Sequence, residues 1–149
     1  SIVNAVSFDL PVVNEIMTAA ANQAIPQDSF QTVGYLYGKV ITKPSVQSKP
    51  AEFDVFIDRF IELRNETAPR DIPGLTLIGW WGQANIDVMN YLNSAVDYHE
   101  KIFKEAFQIA CLVNPGTGEL RIFTRKHTLE MNNSTIETEE YSIAALLSR

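Results

Sequence analysis

The stretch LTLIGWW, residues 75–81, decides the fold, because it is a short apolar run of the length expected for a central β-strand. The residues that follow it, GQAN at 82–85, predict a turn or loop. Upstream, the run TVGYLYGKVI at 32–41 is rich in β-branched and aromatic residues, and FDVFIDRFIEL at 53–63 alternates in part. Both runs predict strands that accompany the central one.

Helical spacing appears on either side of these strands. Apolar residues recur at helical spacing from Leu10 to Ala24, and Asp9 and Pro11 suit the cap and first turn of that helix. From about Ile86 the spacing again predicts one or two helices. Their apolar faces are Val88, Tyr91 and Leu92 in the first part and Ile102, Phe103, Ala106 and Phe107 in the second.

A hairpin and a short tail complete the chain. Residues 109–125, IACLVNPGTGELRIFTR, predict a strand, a Gly-rich turn and a returning strand. The tail from Glu137 to Arg149 predicts a last strand or a short helix. The order of elements is typical of an α/β fold with a single mixed β-sheet flanked by helices. Because 149 residues is an ordinary length for one domain, we expect a single domain over residues 1–149.

Charge and composition limit the partners. The net charge is −6, and the twelve Lys and Arg residues are scattered, so we expect no nucleic-acid binding. No apolar stretch approaches the ~20 residues of a membrane-spanning helix, so we expect no membrane partner either. The single cysteine, Cys111, lies in the apolar run IACLV and is expected to be a buried hydrophobe. Without a cysteine pair, a reducing compartment, cytoplasm or nucleus, fits best.

Four segments carry a family resemblance. QTVGYLYGKV at 31–40 resembles the pattern Glu-x-x-Gly-hydrophobic-Leu-hydrophobic-Gly of JAB/MPN domains, and LIGWWGQAN at 77–85 resembles their Gly-Trp-Tyr/Trp strand leading into His-x-His-Pro. SAVD at 94–97 and ACLVNPGTGELRIF at 110–123 are similar to the family's Ser-x-x-Asp helix start and its following strand and Gly turn. The resemblance implies the JAB/MPN architecture, which is cytidine-deaminase-like.

The resemblance also implies a lost zinc site. In active members, two His and one Asp hold zinc with a water in the fourth position, and an upstream Glu accepts the proton of that water. Carried over in order, the family's Glu, two His, Pro, Ser and Asp fall on Gln31, Gly82, Ala84, Asn85, Ser94 and Asp97. One remaining carboxylate cannot hold zinc, and an amide is not a base near neutral pH. We therefore expect no metal, no cofactor and no catalysis.

The function implied by the resemblance is that of a non-catalytic scaffold. Inactive MPN domains bind other proteins, including active or inactive MPN-type subunits, in ubiquitin-linked and other multi-subunit assemblies. Two alternatives stay open. One is a metal-dependent hydrolase of the isopeptidase kind with a relocated or shared site around Asp97, His99 and Glu100, although Asp97 and His99 point about 200° apart on one helix. The other is an unassigned mixed α/β domain of a larger complex.

Other candidate residues have simpler interpretations. His99 is expected on a solvated helix face, and His127, which no motif pairs with a Ser or Asp, at the surface. Strand alternation places Trp80 and Trp81 on opposite faces, so one faces the core and the other packs beneath a helix or is exposed as a contact. The candidates for partner binding are Trp80, Trp81, Tyr91 and Tyr98.

Overall fold

The computed structural model describes residues 3–26, 29–44, 46, 51–64, 68–84, 92–127 and 134–142. In chain order its elements are β1 (Val3–Phe8), α1 (Leu10–Ala21), β2 (Gln31–Lys43), β3 (Glu52–Glu62), β4 (Thr76–Gln83), α2 (Leu92–Ile102), β5 (Ile109–Asn114), β6 (Glu119–His127) and β7 (Ser134–Ser142). No helix in these ranges is both long enough and apolar enough to cross a membrane.

The strands form one seven-stranded sheet in the order β1-β3-β2-β4-β5-β6-β7. The β1–β3 and β4–β5 pairs are parallel, and the other neighbours are antiparallel. Parallel neighbours need a crossover connection, and α2 lies in the connection from β4 to β5. The prediction of an α/β fold with one mixed sheet and flanking helices is confirmed.

The sheet separates two cores. The α1-side core contains α1 residues such as Val12 and Ile16 together with Trp81. The α2-side core contains Ala95 of α2 together with Trp80. Both faces of the central strands are therefore covered, which explains why their sequences are apolar almost throughout.

Some predicted boundaries differ from the structure. The helix predicted from Leu10 to Ala24 ends at Ala21, where the backbone N–H groups of Asn22 and Gln23 bond to carbonyls three residues earlier. The second part of the downstream helical pattern is not helical beyond Ile102, where α2 ends: Phe103 packs in the α2-side core, whereas Phe107 packs against the α1-side core.

Two strands differ from what the sequence predicted: β7 had two possible predictions, and β1 had none. The part of the tail up to Ser142 is a strand, β7, which pairs with β6, and residues 143–149 lie outside the described part. The edge strand β1 was not predicted. It is hydrogen-bonded to β3 along one edge only, and Val3 is its one buried residue. Because so few of its residues are buried, its sequence VNAVSF lacks the apolar–polar alternation that indicates a strand.

Candidate functional site

The candidate site lies at the shared end of β2 and β4. The antiparallel register pairs Gln31 with Gln83 and Thr32 with Gly82, so Gln31 and Gly82 are neighbours across the two strands. The Gln31 side chain is half-buried and donates from Nε2 to its neighbour's carbonyl, Thr32 O, at 3.3 Å. β5 lies beside β4, and Leu112 pairs with Gly82 from that side.

Gly82 has no space for a side chain. A Cβ atom at this position would lie 2.6 Å from Trp80 Cζ3, 3.1 Å from Leu112 Cδ1 and 3.2 Å from Gln31 O. Such a contact with the Trp80 ring would require the ring to move, although the ring is held by the core around it. The position where the family pattern has its first histidine is therefore filled by the indole of Trp80.

Ala84, at the position of the second histidine, is also part of the core. It is fully buried in the α2-side core, and its N–H donates to Val113 O at 2.9 Å. Ser94 and Asp97, by contrast, have exposed side chains on α2. The structure thus places Gln31, Gly82 and Ala84 at one end of β2 and β4, where Gly82 and Ala84 are buried and Gln31 is half-buried, whereas the Asp97 carboxylate is exposed.

A buried hydrogen bond joins β4 to α2 beside these positions. Trp80 Nε1 donates to His99 Nδ1 at 3.1 Å, and both residues are at most 1% exposed. The imidazole also stacks on Phe103, with ring centroids 5.2 Å apart and an interplanar angle of 13°. Because Nδ1 accepts this bond, the proton of the neutral ring is assigned to Nε2. His99 is thus a core residue, and its prediction as part of a solvated face is wrong.

The sequence carried a weak signal for this burial. His99 lies four residues after the buried Ala95, and residues four apart share a helix face. Tyr98 extends the same aromatic cluster: its ring packs edge-on against Trp80 at 4.9 Å, and its hydroxyl lies 3.3 Å from that of Tyr35. Tyr98 is only half-buried, so its role as a partner contact stays a prediction.

The structure does not bring the side chains of Asp97, His99 and Glu100 together. His99 is buried and its Nδ1 is bonded to Trp80, whereas Asp97 and Glu100 are exposed. Among the described residues no three His, Cys, Asp or Glu side chains lie close enough together to hold a metal ion. The hydrolase alternative, with a relocated or shared site around Asp97, His99 and Glu100, is therefore not supported by this arrangement of α2 but stays untested.

The adjacent tryptophans are not surface residues. Trp80 and Trp81 are both 0% exposed, because α2 covers one face of β4 and α1 covers the other. The alternative that the second tryptophan packs beneath a helix is correct, and their prediction as partner contacts is wrong. Tyr91 and the side chain of His127 lie outside the described part.

Cys111 behaves as expected for a buried hydrophobe. It is fully buried in the α1-side core, and this burial raises the pKa of its thiol well above the ordinary range. A thiol that is not ionised near neutral pH is a poor nucleophile, which agrees with the prediction of a structural cysteine.

Comparison with known proteins gives no assignment: no protein-family model matches the chain, and no curated protein matches it significantly.

Proposed function

We propose that the chain is a non-catalytic MPN-like domain that binds another protein, as a scaffold subunit of a multi-protein assembly. The observation that carries the proposal is the packing at Gly82 and Ala84. At the two histidine positions of the family pattern, the sequence has residues without ligand atoms, and the Trp80 indole fills the space beside Gly82. This packing leaves no room for a histidine side chain at Gly82, which supports the proposal.

The positions of the resembling segments support the family assignment. They fall on β2, β4, α2 and the β5–β6 hairpin, and the three strand segments lie side by side in the order β2-β4-β5-β6. β5 ends at Asn114, and the turn that follows is fixed by the bond from Gly116 N–H to Asn114 Oδ1 at 2.9 Å. This turn corresponds to the Asp-Pro and Gly turn of the family pattern.

The remaining chemistry favours binding over hydrolysis. Of the three metal ligands only Asp97 is left, and one carboxylate competes poorly with water for zinc. Gln31 replaces the glutamate base with an amide. The partner we propose is a protein, such as an active or inactive MPN-type subunit, in the reducing cytoplasm or nucleus. The net charge of −6 disfavours nucleic acid as an alternative partner.

The metal half of the proposal predicts that the purified full chain contains no stoichiometric zinc. Elemental analysis measures the metal content, and thermal unfolding with and without a chelator measures its contribution to stability. We expect the same melting temperature in both conditions, because there would be no bound metal ion for the chelator to remove and none that stabilises the folded chain. One zinc per chain, lost together with stability on chelation, would contradict the proposal.

The scaffold half predicts that the full chain occurs in a stable assembly with another protein. Gel filtration of a native extract, followed by detection of the chain, should place it at a mass well above that of one chain. The purified chain, run alone on the same column, is the control for self-association. Elution of all the chain in the extract at the position of a monomer would refute the scaffold function.

A further inference from the structure

One flank of α1 holds an apolar pocket. A cavity of about 300 Å³ opens between the C-terminal end of α1 and the carboxyl ends of β4 and β5. Met17, Ala21, Ile25 and Val113 form its apolar walls, and no charged residue lines it among the described residues. Its position beside neighbouring parallel strand ends is a common place for binding sites in α/β folds.

The polar groups of this apolar pocket are largely engaged by the protein itself. Gln83 donates from Nε2 to Ala20 O at 3.1 Å. Gln23 places its Nε2 3.5 Å from Val33 O and 3.5 Å from Glu62 Oε1. Small-molecule sites normally add a few free polar groups that orient the ligand. Both amide nitrogens are already bonded, and Gln23 Oε1 is a buried acceptor without a partner among the described residues. With so few free polar groups, the pocket fits an uncharged apolar group better than a polar metabolite.

The other flank of α1 holds an acidic groove. This groove measures about 330 Å³ and runs between α1 and β3, with Glu15 and Glu62 among its lining residues. The crest of α1, meaning its exposed surface between the groove and the apolar pocket, protrudes little. Its exposed residues include the small side chains of Thr18 and Ala21. No lysine or arginine occurs in α1. A chain that crosses the crest therefore meets an apolar site on one side and two carboxylates on the other.

We propose that this surface of α1 docks an extended segment of the partner protein. The segment inserts one large apolar side chain into the apolar pocket and places a Lys or Arg in the acidic groove. A helix with its side chains is about 10–12 Å wide and an extended chain advances about 3.3 Å per residue, so the two anchors lie about three to four residues apart. This inference rests on the proposed protein-binding function and names its contact surface.

The two anchors contribute differently. An apolar side chain that fills a preformed pocket is the usual energetic centre of a protein interface. Exposed carboxylates such as Glu15 add little affinity, but they select a basic residue and make binding depend on salt. We therefore expect the apolar anchor to set the affinity and the acidic groove to set the orientation of the segment.

The test begins with a phage-displayed library of random dodecapeptides selected on the purified full chain. Enriched peptides should share a large apolar residue three or four positions from Lys or Arg. The strongest peptide is then labelled and titrated against the parent chain and two variants. Ala21→Phe, which fills the mouth of the apolar pocket, should weaken binding at least tenfold, and Glu15→Lys should weaken it severalfold at low salt only.

Matched controls separate the surface from general effects of substitution. Ala5→Phe on the exposed part of β1 and Glu100→Lys on the exposed face of α2 should keep the parent affinity. The melting temperature of each variant verifies that it is folded, and Ala21→Leu replaces Ala21→Phe if the larger side chain prevents folding.

Two results would overturn the proposed surface. One is the absence of an enriched motif, and the other is a peptide that binds the pocket variant, the charge variant and the parent equally. Either result leaves the scaffold function standing if the chain still elutes in a larger assembly. Elution as a monomer would instead remove the protein-binding function on which this surface depends.

Discussion

Trp80→Phe is expected to lower the free energy of unfolding by about 3 kcal/mol, because it combines lost packing with the loss of a buried hydrogen bond. The indole is fully buried against Gly82, and its N–H is a donor to His99 Nδ1. Phenylalanine cannot donate, so the imidazole nitrogen would remain buried without this partner. Urea unfolding followed by circular dichroism measures the change.

Trp81→Phe is the matched control for this prediction. Trp81 is equally buried, but its Nε1 has no hydrogen-bond partner among the described residues. Phenylalanine therefore removes an unsatisfied donor, which offsets part of the lost packing, and we expect a loss of only about 1 kcal/mol. Equal losses for the two variants would show that the bond between Trp80 and His99 contributes nothing to stability.

Gly79→Ala is expected to prevent stable folding, or to cost about 4 kcal/mol or more, because the added methyl group meets backbone and not a movable side chain. A Cβ at Gly79 would lie 1.9 Å from Ile109 O, so β4 and β5 would have to separate. The yield of soluble protein and its melting temperature measure the effect.

Gly74→Ala provides the contrast for the Gly79 prediction. No atom lies within 4 Å of a Cβ at Gly74, but φ there is +79°. The cost of alanine is therefore conformational strain alone, which we expect to be about 1 kcal/mol. A Gly79→Ala variant as stable as Gly74→Ala would mean that β4 and β5 are not as close as the structure has them.

The sequence predicted the buried strands and α1 because their patterns arise from local geometry. The run at 75–81 corresponds to β4, Thr76–Gln83, and the run at 53–63 corresponds to β3, Glu52–Glu62. Periodicity failed where an edge strand buries few of its residues, as in β1, or where aromatic residues four positions apart, such as Phe103 and Phe107, pack on opposite faces of the sheet.

The candidate site was less accessible to prediction. The residue types at Gly82 and Ala84 were visible in the sequence, and they suffice to predict that no histidine ligand is present there. The contact of Trp80 with His99 was not predictable, since the two residues are nineteen positions apart and meet only when α2 packs on β4. The apolar pocket beside α1 likewise forms from segments that no single pattern connects.

The parallel pairing of β1 with β3 has a consequence for the order in which the chain can assemble. Val3 pairs with Phe53, so this contact must close a loop of about fifty residues, whereas β5 and β6 meet across the short turn between Asn114 and Glu119. Long loops close late because their entropy cost comes before any stabilising contact. During synthesis β1 emerges before β3, so β1 waits without its partner strand until Glu62 has emerged.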